Sequence, residues 1–292
     1  MSEEHRSYDP VEPQSDGSGT VSDEELRRFI EEEDIDGLAE EFAPESAGGT
    51  AGSAKEKSGR KEKIITTENL EKLLGFDRDV IISTSKKSPV EVLIGTDEVG
   101  RGCLAGPVVA AAVILPPIDP KSELAMQIAR LNDSKLVPPD HRAKLAAVLR
   151  DICQYAIGEA TVEEIDEINI LNASLLAMRR AVRRLKVEAP ALVVIDGNKK
   201  IRSKLYEQLT VIGGDSKSAS IAAASIIAKV HRDTFMCKLA KKFPHYLWHS
   251  NKGYQSKDHW SAINEHGMTK WHRRSFCDHW LQKPDETEES QD

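Results

Sequence analysis

Two apolar runs in this chain end in acids. Val92-Leu93-Ile94 leads through Gly95-Thr96 into Asp97-Glu98, and Gly100-Arg101-Gly102 follows at once. Leu192-Val193-Val194-Ile195 ends in Asp196, with Gly197 next. Ligand sites in α/β sheets lie at the carboxyl ends of strands, so both acids stand where a ligand would bind. Taken singly, either could be no more than a turn, since Asp-Gly commonly follows a strand. A further acid, Asp233, falls on a mainly apolar helical stripe with Ala222, Ile226, Lys229 and Val230. An acid there must be paired, or its desolvation is costly. Two pairings compete: an ion pair with Lys229 one turn earlier, or a metal shared with Asp97, Glu98 and Asp196. Clustered carboxylates suit Mg²⁺ or Mn²⁺, hard cations that prefer oxygen. Two such ions ~4 Å apart can hold the attacking water and the leaving oxygen of a phosphodiester.

Other chemistries find little support. Cys103, Cys153, Cys237 and Cys277 are widely spaced with no CxxC, which points to neither a zinc site nor a disulfide framework and fits a reducing cytosol. There is no G-x-x-x-x-G-K-[ST] phosphate loop and no serine nucleophile elbow. The opening MSEEHRSYDP lacks the basic and apolar regions of a signal peptide. The longest apolar run, Val108 to Leu115, is too short to span a bilayer. A soluble, cytoplasmic protein without membrane contact is the expectation.

The elements that must position these acids can be read from periodicity. Val92–Ile94, Val108–Leu115 and Leu192–Ile195 read as buried strands. Pro138-Pro139 opens a helix with the stripe Leu145, Val148, Leu149, Ile152. Thr161-x-x-Glu164 is a capping box. A longer helix follows on Leu171, Leu175, Met178, Val182 and Leu185. Asp215, Ser216 or Ser218 caps the next helix, which reaches about Lys242. Helices alternating with apolar strands predict an α/β fold around a largely buried sheet.

Several motifs stand together in order: DEVGRG (97–102), LAGPVV (104–109), NDSK (132–135), INILNASLLAMRRAV (168–182), IDGN (195–198), SASIAAASIIAKVHRD (218–233), GY (253–254) and HRRSF (272–276). Across about 92–281 the chain resembles ribonuclease HII, a type 2 ribonuclease H. The resemblance implies a ribonuclease H-like fold: a mixed central sheet flanked by helices, with a helical C-terminal portion that helps clamp the duplex. It implies that Asp97, Glu98, Asp196 and Asp233 bind metal and catalyse. It also implies that Gly100, Arg101 and Gly102 read the ribose 2′-hydroxyl, that Tyr254 packs near the nucleotide after the ribonucleotide, and that Lys135 contacts phosphate. The implied activity is endonucleolytic hydrolysis of the RNA strand of RNA–DNA hybrids and incision 5′ of single ribonucleotides in duplex DNA. The products would be 5′-phosphate and 3′-hydroxyl ends. Gln255-Ser256 stand where the family often has Pro-Thr. His259, His266 and His272 read as packing or phosphate-side residues.

Charge divides the chain. Residues 1–50 hold 16 acids and 3 Lys/Arg, a net of −13, and residues 284–292 carry −5; an overall charge of −8 therefore leaves +10 on residues 51–283. A basic body suits a polyanion. Residues 1–88 read as an acidic, mostly disordered extension and linker, 89–283 as the catalytic domain, and 284–292 as an acidic tail. Within the extension, Asp23–Phe42 has some helical spacing and is a candidate docking segment for an unknown protein partner. Residues 64–82 have room for one short helix. The enzyme is expected to be a monomer. Three other readings compete: ribonuclease HIII, which typically has Lys where Arg101 stands; a non-catalytic nucleic-acid-binding protein; and a metal-dependent phosphatase.

Overall fold

The computed structural model describes residues 66–132 and 134–281. The acidic segment 1–65, with its candidate docking stretch, and the tail 284–292 lie outside the described residues. The elements in chain order are α1 (Glu68–Ser85), β1 (Val92–Val99), β2 (Val108–Ile114), α2 (Glu123–Gln127), α3 (Pro139–Ile152), β3 (Gln154–Ala160), α4 (Val162–Arg184), β4 (Ala191–Asp196), β5 (Glu207–Val211), α5 (Ala219–Lys242), α6 (Trp248–Asn251), α7 (Lys257–His266) and α8 (Arg274–Leu281).

The strands form one mixed sheet in the order β3-β2-β1-β4-β5. β1 pairs antiparallel with β2 and parallel with β4, while β2–β3 is antiparallel and β4–β5 parallel. Both faces are covered, which explains why the central strands are apolar throughout rather than alternating. On one face Ile94, Val193 and Ile195 pack with Ala173, Ala177, Ala181 and Val182 of α4. On the other, Leu93, Leu192 and Val194 meet Ile221 of α5 and Val80 of α1. Helix α5 lies close because its first turns, Ile221 aside, are built from Ala and Ser. A Cβ on Gly95 would fall 2.2 Å from the backbone of Ser220, so glycine is what lets β1 and α5 touch.

The capping box at Thr161 and Glu164 is formed, and Ser218 supplies the N-cap of α5. Helix α4 buries Met178 and Val182 of the expected stripe and packs Leu175 and Leu185 against the same cluster. It breaks at Asn169 (φ 65°), and Leu171 is exposed while Ala173, Ala177 and Ala181 are buried. Small residues are needed there, because α4 runs so near β3 that a Cβ on Gly158 would meet the Ala177 carbonyl at 2.2 Å.

The boundary expected at residue 88 falls inside the folded body and must be corrected. Helix α1 buries Leu70, Leu73, Asp77 and Val80, a spacing of three, four, three along one face. Asp77 accepts hydrogen bonds from the Ser220 backbone N–H (2.9 Å) and hydroxyl (2.8 Å), capping α5 from a separate helix. The short helix for which residues 64–82 had room is thus formed, with an acid inside its buried stripe.

Beyond α5, a cluster around Trp248, Tyr246, Met268, Ile263 and Cys277 packs the helical C-terminal portion against Leu104 and Ala105. All four cysteines are free thiols. No helix among the described residues is long and apolar enough to cross a membrane.

Candidate active site

The register of β1 and β4 brings the first acids together. The parallel ladder runs Leu93–Leu192, Ile94–Val193, Gly95–Val194 and Thr96–Ile195. One residue further on, Asp97 and Asp196 stand level on neighbouring strands, which lie roughly 4.8 Å apart. Leu93 and Gly95 face α5, as do Leu192 and Val194, so period-two alternation turns Asp97 and Asp196 to that same face. Glu98 follows Asp97 at the strand's end.

Burial, then the neighbouring charges of Glu98 and Asp196, push the Asp97 carboxyl well above its usual range; hydrogen bonds from Ser225 and the Glu98 N–H oppose this. Burial also raises Glu98, against the pull of Arg101 at 3.1 Å. Asp196 accepts the Gly214 N–H at 2.6 Å. Three carboxylates thus crowd one end of the sheet.

Asp233 lies two turns beyond Ser225 on α5 and faces cations. Lys229 Nζ is 2.7 Å from Oδ1, and an Arg142 nitrogen is 3.6 Å from Oδ2. The ion pair that competed with a metal in the sequence is therefore formed. A polar chain joins Asp233 to the other acids. Arg142 donates to the Ser134 carbonyl (2.8 Å), the Ser134 and Ser225 hydroxyls lie 3.0 Å apart, and Ser225 hydrogen-bonds Asp97. Lys135 is exposed, on the residue after this buried Ser134.

The glycine loop is held from behind by two buried arginines that the sequence reading gave no role. Gly100 has φ +95°, and a Cβ there would sit 2.2 Å from Arg232 Nε. Arg232 donates to the carbonyls of Ala105, Pro107 and Lys252, and Arg273 to those of Gly106 and Arg101. Burial and the nearby Arg232 push the Arg273 guanidinium down to about 9. The signal was present, in the arginine just before the final acid of VHRD and in the first arginine of HRRSF, but arginine beside a charged neighbour normally reads as surface.

Tyr254 stands at the rim. It pairs with Cys103 in an antiparallel bridge, and Lys229 and Arg232 lie 5.2 and 5.9 Å from its ring centroid. Burial pushes its phenol up to about 12, so it stays protonated. The histidines split. His259 and His272 are buried packing residues, with ring nitrogens 3.2 Å apart, while His266 lies against His245.

The donor set tests the fit to a metal. Among the described residues, no group of three or more His, Cys, Asp or Glu side chains is arranged so that it could hold a metal ion. Charge and donor type nevertheless fit a hard divalent cation at Asp97, Glu98 and Asp196. All are carboxylates, and their mutual repulsion is what an ion would relieve.

Solved structures share this architecture. The PCNA:RNase HII complex from Archaeoglobus fulgidus matches with TM-score 0.52 and 26% identity, covering 62% of this chain and 93% of that one. The ribonuclease H2 of Pyrococcus horikoshii matches with TM-score 0.51 at 24% identity, covering 66% and 100%. The chain is thus an α/β protein of the ribonuclease H-like class. The family model for ribonuclease HII matches residues 94–280. The ribonuclease HII of Phocaeicola vulgatus is 54% identical over 186 residues, 62% of this chain and 87% of the relative; that of Pelagibacter ubique is 50% identical over 188 residues, 64% and 96%. The chain belongs to the ribonuclease HII family, and is a ribonuclease H that cleaves RNA in RNA–DNA hybrids.

Proposed function

We propose that the chain cuts long hybrids and also incises on the 5′ side of a single ribonucleotide in duplex DNA, with divalent metal at Asp97, Glu98, Asp196 and Asp233. The observation that carries this reading is the level pair Asp97 and Asp196 on adjacent strands, crowded by Glu98. When bound, Mg²⁺ or Mn²⁺ supplies water activation and charge stabilisation of the departing 3′ oxygen. The remaining work falls to the protein. Gly100, Arg101 and Gly102 offer backbone at close range to the 2′-hydroxyl, the group that tells RNA from DNA locally. Arg232 and Arg273 fix the carbonyls behind that loop, so its donors and acceptors are set before substrate arrives. Tyr254 presents a ring to the sugar that follows. Lys135 provides a cation for a phosphate. The products are a 5′-phosphate and a 3′-hydroxyl.

The test uses two labelled duplexes with Mg²⁺ or Mn²⁺, one with a single ribonucleotide in DNA and one with a continuous RNA strand. Cleavage of both, with the first cut 5′ of the ribonucleotide and an all-DNA duplex untouched, is expected. Cutting of the long hybrid alone would shift the reading toward ribonuclease HIII.

A further inference from the structure

The Asp233 carboxylate carries a cation on each oxygen: Lys229 at 2.7 Å and Arg142 at 3.6 Å. The three side chains are only 10–20% exposed. Two positive charges against one negative leave this end of the site cationic, whereas Asp97, Glu98 and Asp196 make the other end anionic. A divalent ion at Asp233 would therefore meet like charge in surroundings where screening is weak.

The two cations are not equally free to give way. Arg142 is fixed by its Nε and Nη2, which donate to the Ser134 and Val137 carbonyls at 2.8 and 2.9 Å. Lys229 carries a compact ammonium on a flexible stem. Its Nζ also lies 5.2 Å from the Tyr254 ring centroid, where an aromatic face can hold a cation. We infer that Lys229 is the resident counter-ion of Asp233: it satisfies the carboxylate when no metal is present and yields it to a divalent ion, withdrawing to the Tyr254 ring. This rests on the reading of Asp233 as a metal ligand. It also reconciles the two pairings open to Asp233, which become successive states of one side chain.

The test takes the full-length protein with Mn²⁺ alone as probe, using calorimetric titration and thermal denaturation with and without chelator. Lys229→Met should lower the metal-free melting midpoint, because Asp233 loses its closest partner. The same variant should bind Mn²⁺ several-fold more tightly and show a larger Mn²⁺-induced rise in midpoint than wild type. Lys229→Arg, which keeps the charge, should bind Mn²⁺ no more tightly than wild type. In an Asp233→Asn background, Lys229→Met should leave Mn²⁺ affinity unchanged. If methionine is not tolerated, Lys229→Gln gives the same comparison. Unchanged or weaker Mn²⁺ binding by the charge-removing variant overturns the inference, as does an equal gain in the Asp233→Asn background. If Asp233→Asn alone leaves Mn²⁺ binding untouched, the metal reading of Asp233 is what fails.

Discussion

Asp97 and Asp196 stand one residue beyond the Thr96–Ile195 pair of a parallel ladder, level with each other and turned to the same face. Neither lies in a turn made by its own sequence neighbours. Their proximity is a property of register, and a one-residue slip of β4 against β1 would send Asp196 to the opposite face.

That relationship sets function against stability. Asp97 is buried, and Glu98 and Asp196 repel it further. Asp97→Asn and Asp196→Asn should each reduce cleavage by at least ~10²-fold through lost transition-state stabilisation. Asp97→Asn should at the same time raise the melting midpoint of the metal-free protein, by ~2–4 °C for each ~1 kcal/mol of repulsion relieved in a domain of this size. Near-normal turnover by either purified variant would sink the assignment of these acids.

The N-terminal boundary gives a second test. A chain beginning at residue 66 should fold and cleave like the whole, since the body retains α1. A chain beginning at residue 89 should be insoluble or unfolded. It loses buried Leu70, Leu73 and Val80, at ~1.5–3 kcal/mol each, against a total stability of ~5–15 kcal/mol. It also loses the Asp77 cap on α5. Chemical denaturation of both chains decides the matter, and a soluble, active 89–292 protein would show that α1 is dispensable.

What could be read in advance follows a physical division. Strands β1, β2 and β4, the cap at Thr161 and the reach of α5 were legible because local pattern alone specifies them, while Ser218 was one of three candidates for the α5 cap. The placement of Asp97 and Asp196 was legible because each closes an apolar run that forms a strand. Three features were not. The docking of α1 through an acid in its buried stripe was not visible, α4 adds Ala173, Ala177 and Ala181 to the buried face it shares with Met178 and Val182, and Arg232 and Arg273 are fully buried on backbone carbonyls. Each depends on a partner distant in sequence: Ser220 for Asp77, Gly158 for the α4 alanines, and the 101–107 loop for the two arginines.

The buried histidine pair predicts acid sensitivity. His259 Nδ1 faces the Tyr254 carbonyl at 2.9 Å and must carry the proton, so Nε2 is bare and accepts from Trp248 Nε1 at 3.0 Å. His272 Nδ1 accepts the Thr269 N–H at 2.9 Å, so its proton sits on Nε2, facing His259. Each bare nitrogen already faces a donor, and Tyr246 and Trp248 wall the pair. Burial, then His259, push His272 down to about 3; burial pushes His259 down as well. The unfolded chain takes up these protons near pH 6.5 while the folded protein resists them. Stability should therefore be unaffected by this pair above pH 6.5 and fall as pH drops from there toward 3, by up to ~1.4 kcal/mol per pH unit for each proton. Denaturant midpoints of wild type and His272→Asn between pH 8 and 4 check this. The variant should start lower but lose stability less steeply, and parallel curves would refute the linkage.

Tyr254 tests what the enzyme reads. Cutting at a lone ribonucleotide requires a site that senses one 2′-hydroxyl and accepts deoxyribose on its far side. The backbone of Tyr254 is anchored independently of its ring: its N–H donates to the Asn251 carbonyl at 2.8 Å, its carbonyl accepts from His259, and it bridges to Cys103. Tyr254→Ala should therefore remove the ring and leave the loop in place. With the ring gone, a junction substrate loses the surface beside its one productive register, whereas a continuous hybrid can be cut in several. Tyr254→Ala should thus reduce kcat/KM on the single-ribonucleotide duplex more than on the long hybrid. Tyr254→Phe should retain most activity on both, since the phenol is held protonated near 12 and offers no charge to lose. A site built around a hydrogen-bonded hydroxyl also rejects the deoxy analogue, because its polar groups are left unpaired, so the all-DNA duplex should resist all three proteins. Equal losses on the two ribonucleotide substrates would make Tyr254 a packing residue and move junction recognition elsewhere in the cleft.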